Sequence, residues 1–86
     1  MHHPLPHPTG PRHLTGHELR TITGENGIRG QSDVLARLSI PFRVRRGAGN
    51  MALGIDADYG GAVRVLGTDD WTDPRVESFR ATGLAA

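Results

Sequence analysis

At Ile40-Pro41 the spacing of the apolar residues changes, and that change limits what the chain can become more than any other feature. Before it, Leu19 and Ile22, and then Val34, Leu35 and Leu38, recur at the three-and-four spacing of short amphipathic helices. After it, Phe42 and Val44 alternate with Arg43 and Arg45. Met51, Leu53 and Ile55 then alternate with Ala52 and Gly54, which is the period of strands. Proline disfavours helical backbone in the residue before it, so a helix has ended by Ile40. Helices first and strands after, in only 86 residues, imply one small α+β domain. A chain of this size buries only roughly 60% of its unfolded surface and has no room for a second core. With 36% apolar residues, the expectation is a marginal monomer or a small oligomer.

The ends of the elements carry their own signals. Thr15-Gly16-His17-Glu18 has the form of a capping box, in which hydroxyl and carboxylate each satisfy the other residue's amide. Leu14 is placed as the staple before it, and Gly24 as a left-handed stop. Glu25 to Gly30 reads as a turn-rich link, and Gln31 to Ser39 as the second helix. Arg46-Gly47-Ala48-Gly49-Asn50 supplies a hairpin turn, with Gly47 and Gly49 allowing positive φ. Ala62 to Leu66, after the Tyr59-Gly60-Gly61 turn, reads as a third strand. Asp73-Pro74 is an N-cap followed by proline at the first helical position, with Val76 and Phe79 one turn apart and Gly83 as a stop. The expected architecture is therefore two short N-terminal helices, a β-hairpin plus a third strand, and a short C-terminal helix of two turns. Residues 1–13 hold four of the prolines and four of the five histidines, which implies a flexible arm. The domain is expected over 14–83, with 84–86 as a tail.

Net charge is +1, yet it divides sharply. From Arg12 to Arg46 there are seven arginines against Glu18, Glu25 and Asp33. From Asp56 to Glu77 there are six acids against Arg64 and Arg75. The basic half suits an anionic partner, and the acidic half suits a protein partner or self-association. All ten basic residues are arginine, whose planar fork matches phosphate and carboxylate. The absence of cysteine excludes disulfides, thiolate zinc sites and a cysteine nucleophile. No apolar run approaches the roughly 20 residues of a membrane span, and the start lacks the apolar stretch of a signal peptide. A soluble, cytoplasmic protein is expected, with no membrane partner.

Three chemistries are set aside on spacing. Gly47-x-Gly49-x-x-Ala52 has the letters of a dinucleotide loop, but such a loop must open a helix, and Met51-Ala52-Leu53-Gly54-Ile55 has strand period. Asp56-Ala57-Asp58-Tyr59-Gly60 opens like a calcium loop, but its twelfth residue is Gly67 rather than an acid. The arm histidines lack close ligand spacing, the serines at 32, 39 and 78 fall in helical stretches, and His17 belongs to a cap. No catalytic set emerges, so the expectation is a protein that is not an enzyme and needs no metal or cofactor.

From Leu14 to Val44 the chain resembles small phage and prophage proteins of a domain family of unknown function. Their pattern runs roughly L-T-x-x-E-L-x-x-L-T-G, a basic residue, Q, L, and then I-P-F-x-V before a glycine turn. The matching residues are Leu14, Thr15, Glu18, Leu19, Thr23, Gly24, Arg29, Gln31, Leu35, Leu38, Ile40, Pro41, Phe42 and Val44. The resemblance implies an excisionase-like winged helix, in which one short helix enters the DNA major groove and the hairpin wing lies on the backbone. It would set Gln31 and Ser32 at the start of the recognition helix, near base edges or phosphates. Arg29, Arg37, Arg43, Arg45 and Arg46 would neutralise phosphates. The leading expectation is a small DNA-binding protein, excisionase-like or a transcriptional regulator. The alternative is a phage accessory protein acting by protein contact, such as an inhibitor of host defence.

Overall fold

A computed structural model describes residues 12–85, with side chains placed as far as residue 81. The elements run α1 (Gly16–Thr23), α2 (Ile28–Arg37), β1 (Phe42–Arg46), β2 (Ala52–Ala57), α3 (Tyr59–Leu66) and α4 (Pro74–Ala85). Among the described residues the sheet is a two-stranded antiparallel hairpin. Of the expected arm, residues 1–11 lie outside the described residues. Arg12 and His13 are tied to the domain: the Arg12 carbonyl accepts from the Tyr59 amide at 2.8 Å, and His13 bridges to Asp58.

The first helix starts from a closed capping box. Glu18 N–H donates to Thr15 Oγ1 at 3.1 Å, and Thr15 N–H donates to Glu18 Oε1 at 2.8 Å. Gly24 stops the helix at φ +74°, in the left-handed region where a side chain is costly. The second helix begins at Ile28, three residues ahead of the expected start at Gln31. Gly30 lies inside it, with the Glu25 side chain folded over that position. Its end is a Schellman motif. Ile40 N–H reaches Leu35 O at 3.0 Å and Ser39 N–H reaches Ala36 O at 3.1 Å, with Ser39 at φ +62°.

The expected third strand is a helix, and this overturns the predicted architecture: there are four helices and two strands among the described residues. Ala62 to Leu66 alternates well enough to read as a strand, but Asp58 decides otherwise. Its Oδ2 accepts from Gly61 N–H at 3.0 Å and its carbonyl accepts from Ala62 N–H at 3.0 Å, which starts a helix rather than a turn. Ala62 and Leu66, four residues apart, are then the buried pair. Gly61 is needed where Pro41 rests on the helix, since a Cβ there would lie 2.7 Å from Pro41 Cδ. The C-terminal helix also departs from expectation. It continues through Gly83 to Ala85, taking in residues 84 and 85 of the expected tail. Val76 is buried, while Phe79 stays partly exposed.

Leu14, Leu19, Ile22, Val34, Leu35, Leu38, Ile40, Ile55, Ala57, Ala62, Leu66 and Val76 form one buried cluster. Both strands pack on α2, and α4 closes against α1, α2 and α3. Arg80 holds α4 to α1: its Nη1 donates to Thr21 O at 2.7 Å and Ile22 O at 3.3 Å, capping the orphan carbonyls at the end of α1.

Candidate nucleic-acid interface

The hairpin owes its shape to one extra residue. Phe42 pairs with Ala57, Val44 with Ile55 and Arg45 with Gly54, but Arg46 pairs with Ala52, so Leu53 is a bulge. The alternation expected of Met51, Leu53 and Ile55 therefore breaks. Ile55 is buried, whereas Leu53 and Met51 are 57% and 63% exposed. Positive φ falls on Gly49 (+67°) and Asn50 (+63°), not on Gly47. The Leu53 side chain lies over Gly47, where a Cβ would stand 2.9 Å from Leu53 Cδ1.

This geometry divides the five candidate arginines. Arg46 shares a sheet face with Phe42 and Val44, and with them faces α2 across a groove of about 480 Å³ whose other wall carries Arg29, Ser32 and Asp33. Arg43 and Arg45 point to the opposite face of the hairpin, where Asp56 meets both. Arg45 Nε lies 2.9 Å from Asp56 Oδ1, and Arg43 Nη2 lies 3.9 Å from Oδ2. Arg46 Nη1 donates to Asn50 O at 3.2 Å, which braces the turn. All three hairpin arginines, with Leu53, also line a second concavity near the tip. Arg37 is exposed at the C-terminal end of α2, where its charge complements the helix dipole.

The two polar candidates on α2 are less free. Gln31 is 7% exposed, and its Nε2 donates to Glu25 O at 3.0 Å, so it fastens the turn between the helices. Ser32 Oγ donates back to Ile28 O at 2.8 Å while remaining half-buried at the groove wall.

The acidic half turns out to be locally committed. Asp56 serves the hairpin arginines and Asp58 caps α3. Asp70 Oδ1 accepts from the Thr72 hydroxyl and amide, which holds its carboxyl below its usual value. Asp73, just ahead of α4, is held low by hydrogen bonds from the Arg75 guanidinium and amide. The two acids of the calcium-like stretch, Asp56 and Asp58, thus have structural partners. Among the described residues there is no cluster of three or more metal-ligating side chains, and no helix long and apolar enough to cross a membrane.

A second constellation escapes the sequence reading. Arg12 Nη2 pairs with Glu18 Oε2 at 3.0 Å, the Arg12 guanidinium lies 3.9 Å above the Tyr59 ring, and Trp71 meets Tyr59 edge-on at 5.6 Å. Burial raises the Glu18 carboxyl, but the Arg12 hydrogen bond, the Thr15 amide, the Arg12 charge and the Trp71 indole together hold it below its ordinary value. The four residues come from positions far apart in sequence, and no local spacing announces them.

No family model, no curated protein and no solved structure matches this chain. Its own surfaces are therefore the guide to its function.

Proposed function

We propose that the chain is a small, non-enzymatic DNA-binding module of the phage or prophage kind, an excisionase-like protein or a transcriptional regulator. The observation that carries this reading is the groove between α2 and the hairpin, with Arg29 on one wall and Arg46 on the other. A phosphate backbone seated there would meet a guanidinium from each side, two cations against the single Asp33 carboxylate on the α2 wall. Arg43 and Arg45 extend the basic surface around the hairpin, and Arg37 extends it along α2. In this reading Gln31 positions the turn ahead of α2 instead of reading a base. Titration of a labelled duplex at several salt concentrations tests the proposal. Engagement of all five arginines gives a log–log slope of about −4 to −5 and a steep loss of affinity between about 50 and 200 mM salt. Failure to bind duplex at the lowest salt overturns it.

One observation favours a second reading, protein contact by a phage accessory factor. The hairpin tip exposes two large apolar side chains that nothing among the described residues covers, and such side chains mark contact surfaces as readily in protein complexes as elsewhere.

A further inference from the structure

The link between α1 and α2 holds an asparagine followed by a glycine, Asn26-Gly27, and both residues are exposed. Such a pair has a chemistry of its own. The main-chain nitrogen after an asparagine can attack the side-chain carboxamide, and glycine leaves that nitrogen least obstructed because it has no Cβ. The link supplies the remaining conditions. Among the described residues no main-chain carbonyl accepts from the Gly27 N–H, and a Cβ built on Gly27 would meet nothing within 4 Å, so space for a ring is open there. Asn50, the other asparagine of the chain, differs on both counts: the Met51 N–H that follows it donates to Ala48 O at 3.3 Å, and Met51 carries a side chain. The main chain through Asn26 is also pinned on either side by one buried residue. Gln31 Nε2 donates to Glu25 O at 3.0 Å, and Gln31 N–H donates to Gly27 O at 3.0 Å.

We propose that Asn26 is a site of spontaneous deamidation and that its isoaspartyl product unfastens the start of α2. This goes beyond the DNA-binding reading and does not depend on it. In the first step the Gly27 nitrogen bonds to Asn26 Cγ, the Cγ–Nδ2 bond breaks, and ammonia leaves with the proton that the Gly27 nitrogen gives up. The product is a cyclic succinimide. Water then opens the ring: cleavage between Cγ and the nitrogen yields aspartate, and cleavage between the main-chain carbonyl carbon and the nitrogen yields isoaspartate. No electron donor or acceptor is needed. Isoaspartate runs the chain through the side-chain carbons, so one more carbon enters the span between the Glu25 and Gly27 carbonyls. The two carbonyls then no longer match the spacing that the Gln31 amide and Nε2 hold. The first turn of α2 also carries Arg29, so the loosening reaches the wall of the groove.

The test incubates the full chain at mildly alkaline pH, folded and in urea, and reads residue 26 by peptide mass mapping and by enzymatic methylation of isoaspartate. Expected in the folded chain is conversion of Asn26 with Asn50 unchanged. Gly27→Ala has room for its Cβ and an ordinary backbone, with φ at −96°, and circular dichroism confirms its folding. It should convert more slowly by about tenfold or more, because the Cβ hinders the attacking nitrogen. Hydrogen exchange reads the consequence. The Gln31 N–H should exchange at least about tenfold faster in the isoaspartyl protein than in Asn26→Asp, which carries the same new charge without the extra carbon. An Asn26 that stays intact in the folded chain, whether or not it converts in urea, overturns the site. So does an Asn50 that converts as fast, or a Gly27→Ala rate equal to the parent's. An isoaspartyl protein whose Gln31 amide exchanges as slowly as that of Asn26→Asp overturns the release of α2.

Discussion

Arginine does opposite things at two ends of this molecule. At Arg12 the guanidinium is used up: Glu18 pairs with it, the Tyr59 ring lies beneath it, and Trp71 meets that ring edge-on. At the hairpin two of three arginines, Arg43 and Arg45, share one acid, Asp56, and the apolar residues beside them, Met51 and Leu53, face solvent. The first arrangement joins the chain before α1 to the start of α3 and the loop ahead of α4, so its charge is spent on holding elements together. The second leaves exposed cations on a two-stranded sheet. The difference lies in what surrounds each cation. Most acids of the C-terminal half are taken by caps and turns close to them in sequence, and only Asp56 falls within reach of the hairpin.

The comparison breaks most decisively at Trp71. If the clamp is structural, Trp71→Ala removes the edge contact with Tyr59 and a half-buried ring packed on the core. The expected loss is about 2 kcal/mol, below the full core value because the ring is not fully enclosed. Urea unfolding followed by circular dichroism measures it. A loss under about 0.5 kcal/mol would mean that the clamp is ornamental and that the contrast with the hairpin is false.

Acid titration sharpens the same contrast with a smaller effect. The Glu18 carboxyl is depressed in the folded chain, so its contribution is fully present above its ordinary value of 4.5 and is lost as pH falls through the lowered one. Glu18→Gln keeps an oxygen to accept from Thr15 but loses the charge facing Arg12. The stability advantage of the parent over this variant should therefore be constant near neutral pH and shrink on acidification. An advantage that grows as pH falls would reverse the assignment. Asp70 and Asp73 are also depressed, and the difference between the two proteins cancels their effect.

How far these regions are legible in the sequence follows from how local their causes are. The Thr15–Glu18 box, the Gly24 stop and the change of period at Pro41 are each written within a few residues, and the structure forms them there. Helix α3 is hidden because Val63 and Val65 imitate strand alternation, while the signal that overrides it, the Asp58 cap, resembles part of a turn. The bulge at Leu53 is hidden because a period of two says nothing about where an extra residue enters. Base contact by Gln31 is an implication of resemblance alone, and its burial depends on the Glu25 carbonyl folding back over it. The Arg12 clamp needs residues 12, 18, 59 and 71 to meet, which only the packed fold arranges.

The smallest expected effect belongs to the hairpin arginines, and it closes the comparison from the other side. Arg43 and Arg45 are largely solvated and Arg46 contributes one exposed hydrogen bond. Exposed ion pairs contribute little, because the Coulomb gain in water is offset by the cost of fixing long side chains. Arg43→Gln/Arg45→Gln/Arg46→Gln should therefore change stability by no more than about 0.5 kcal/mol. Asp56 is the one group that resists this argument, since its carboxylate is mostly shielded and would lose both cations. A glutamine amide in place of Arg45 can still donate a hydrogen bond to it, however, and a carboxylate at the sheet surface can draw water. The same variant should lose about three units of salt slope in the duplex titration if all three arginines meet phosphate. A triple variant that unfolds more readily than Trp71→Ala would show that these arginines brace the hairpin as Arg12 braces the chain start. The two regions would then differ in degree only, and the hairpin would lose its claim to be a surface kept free for a partner.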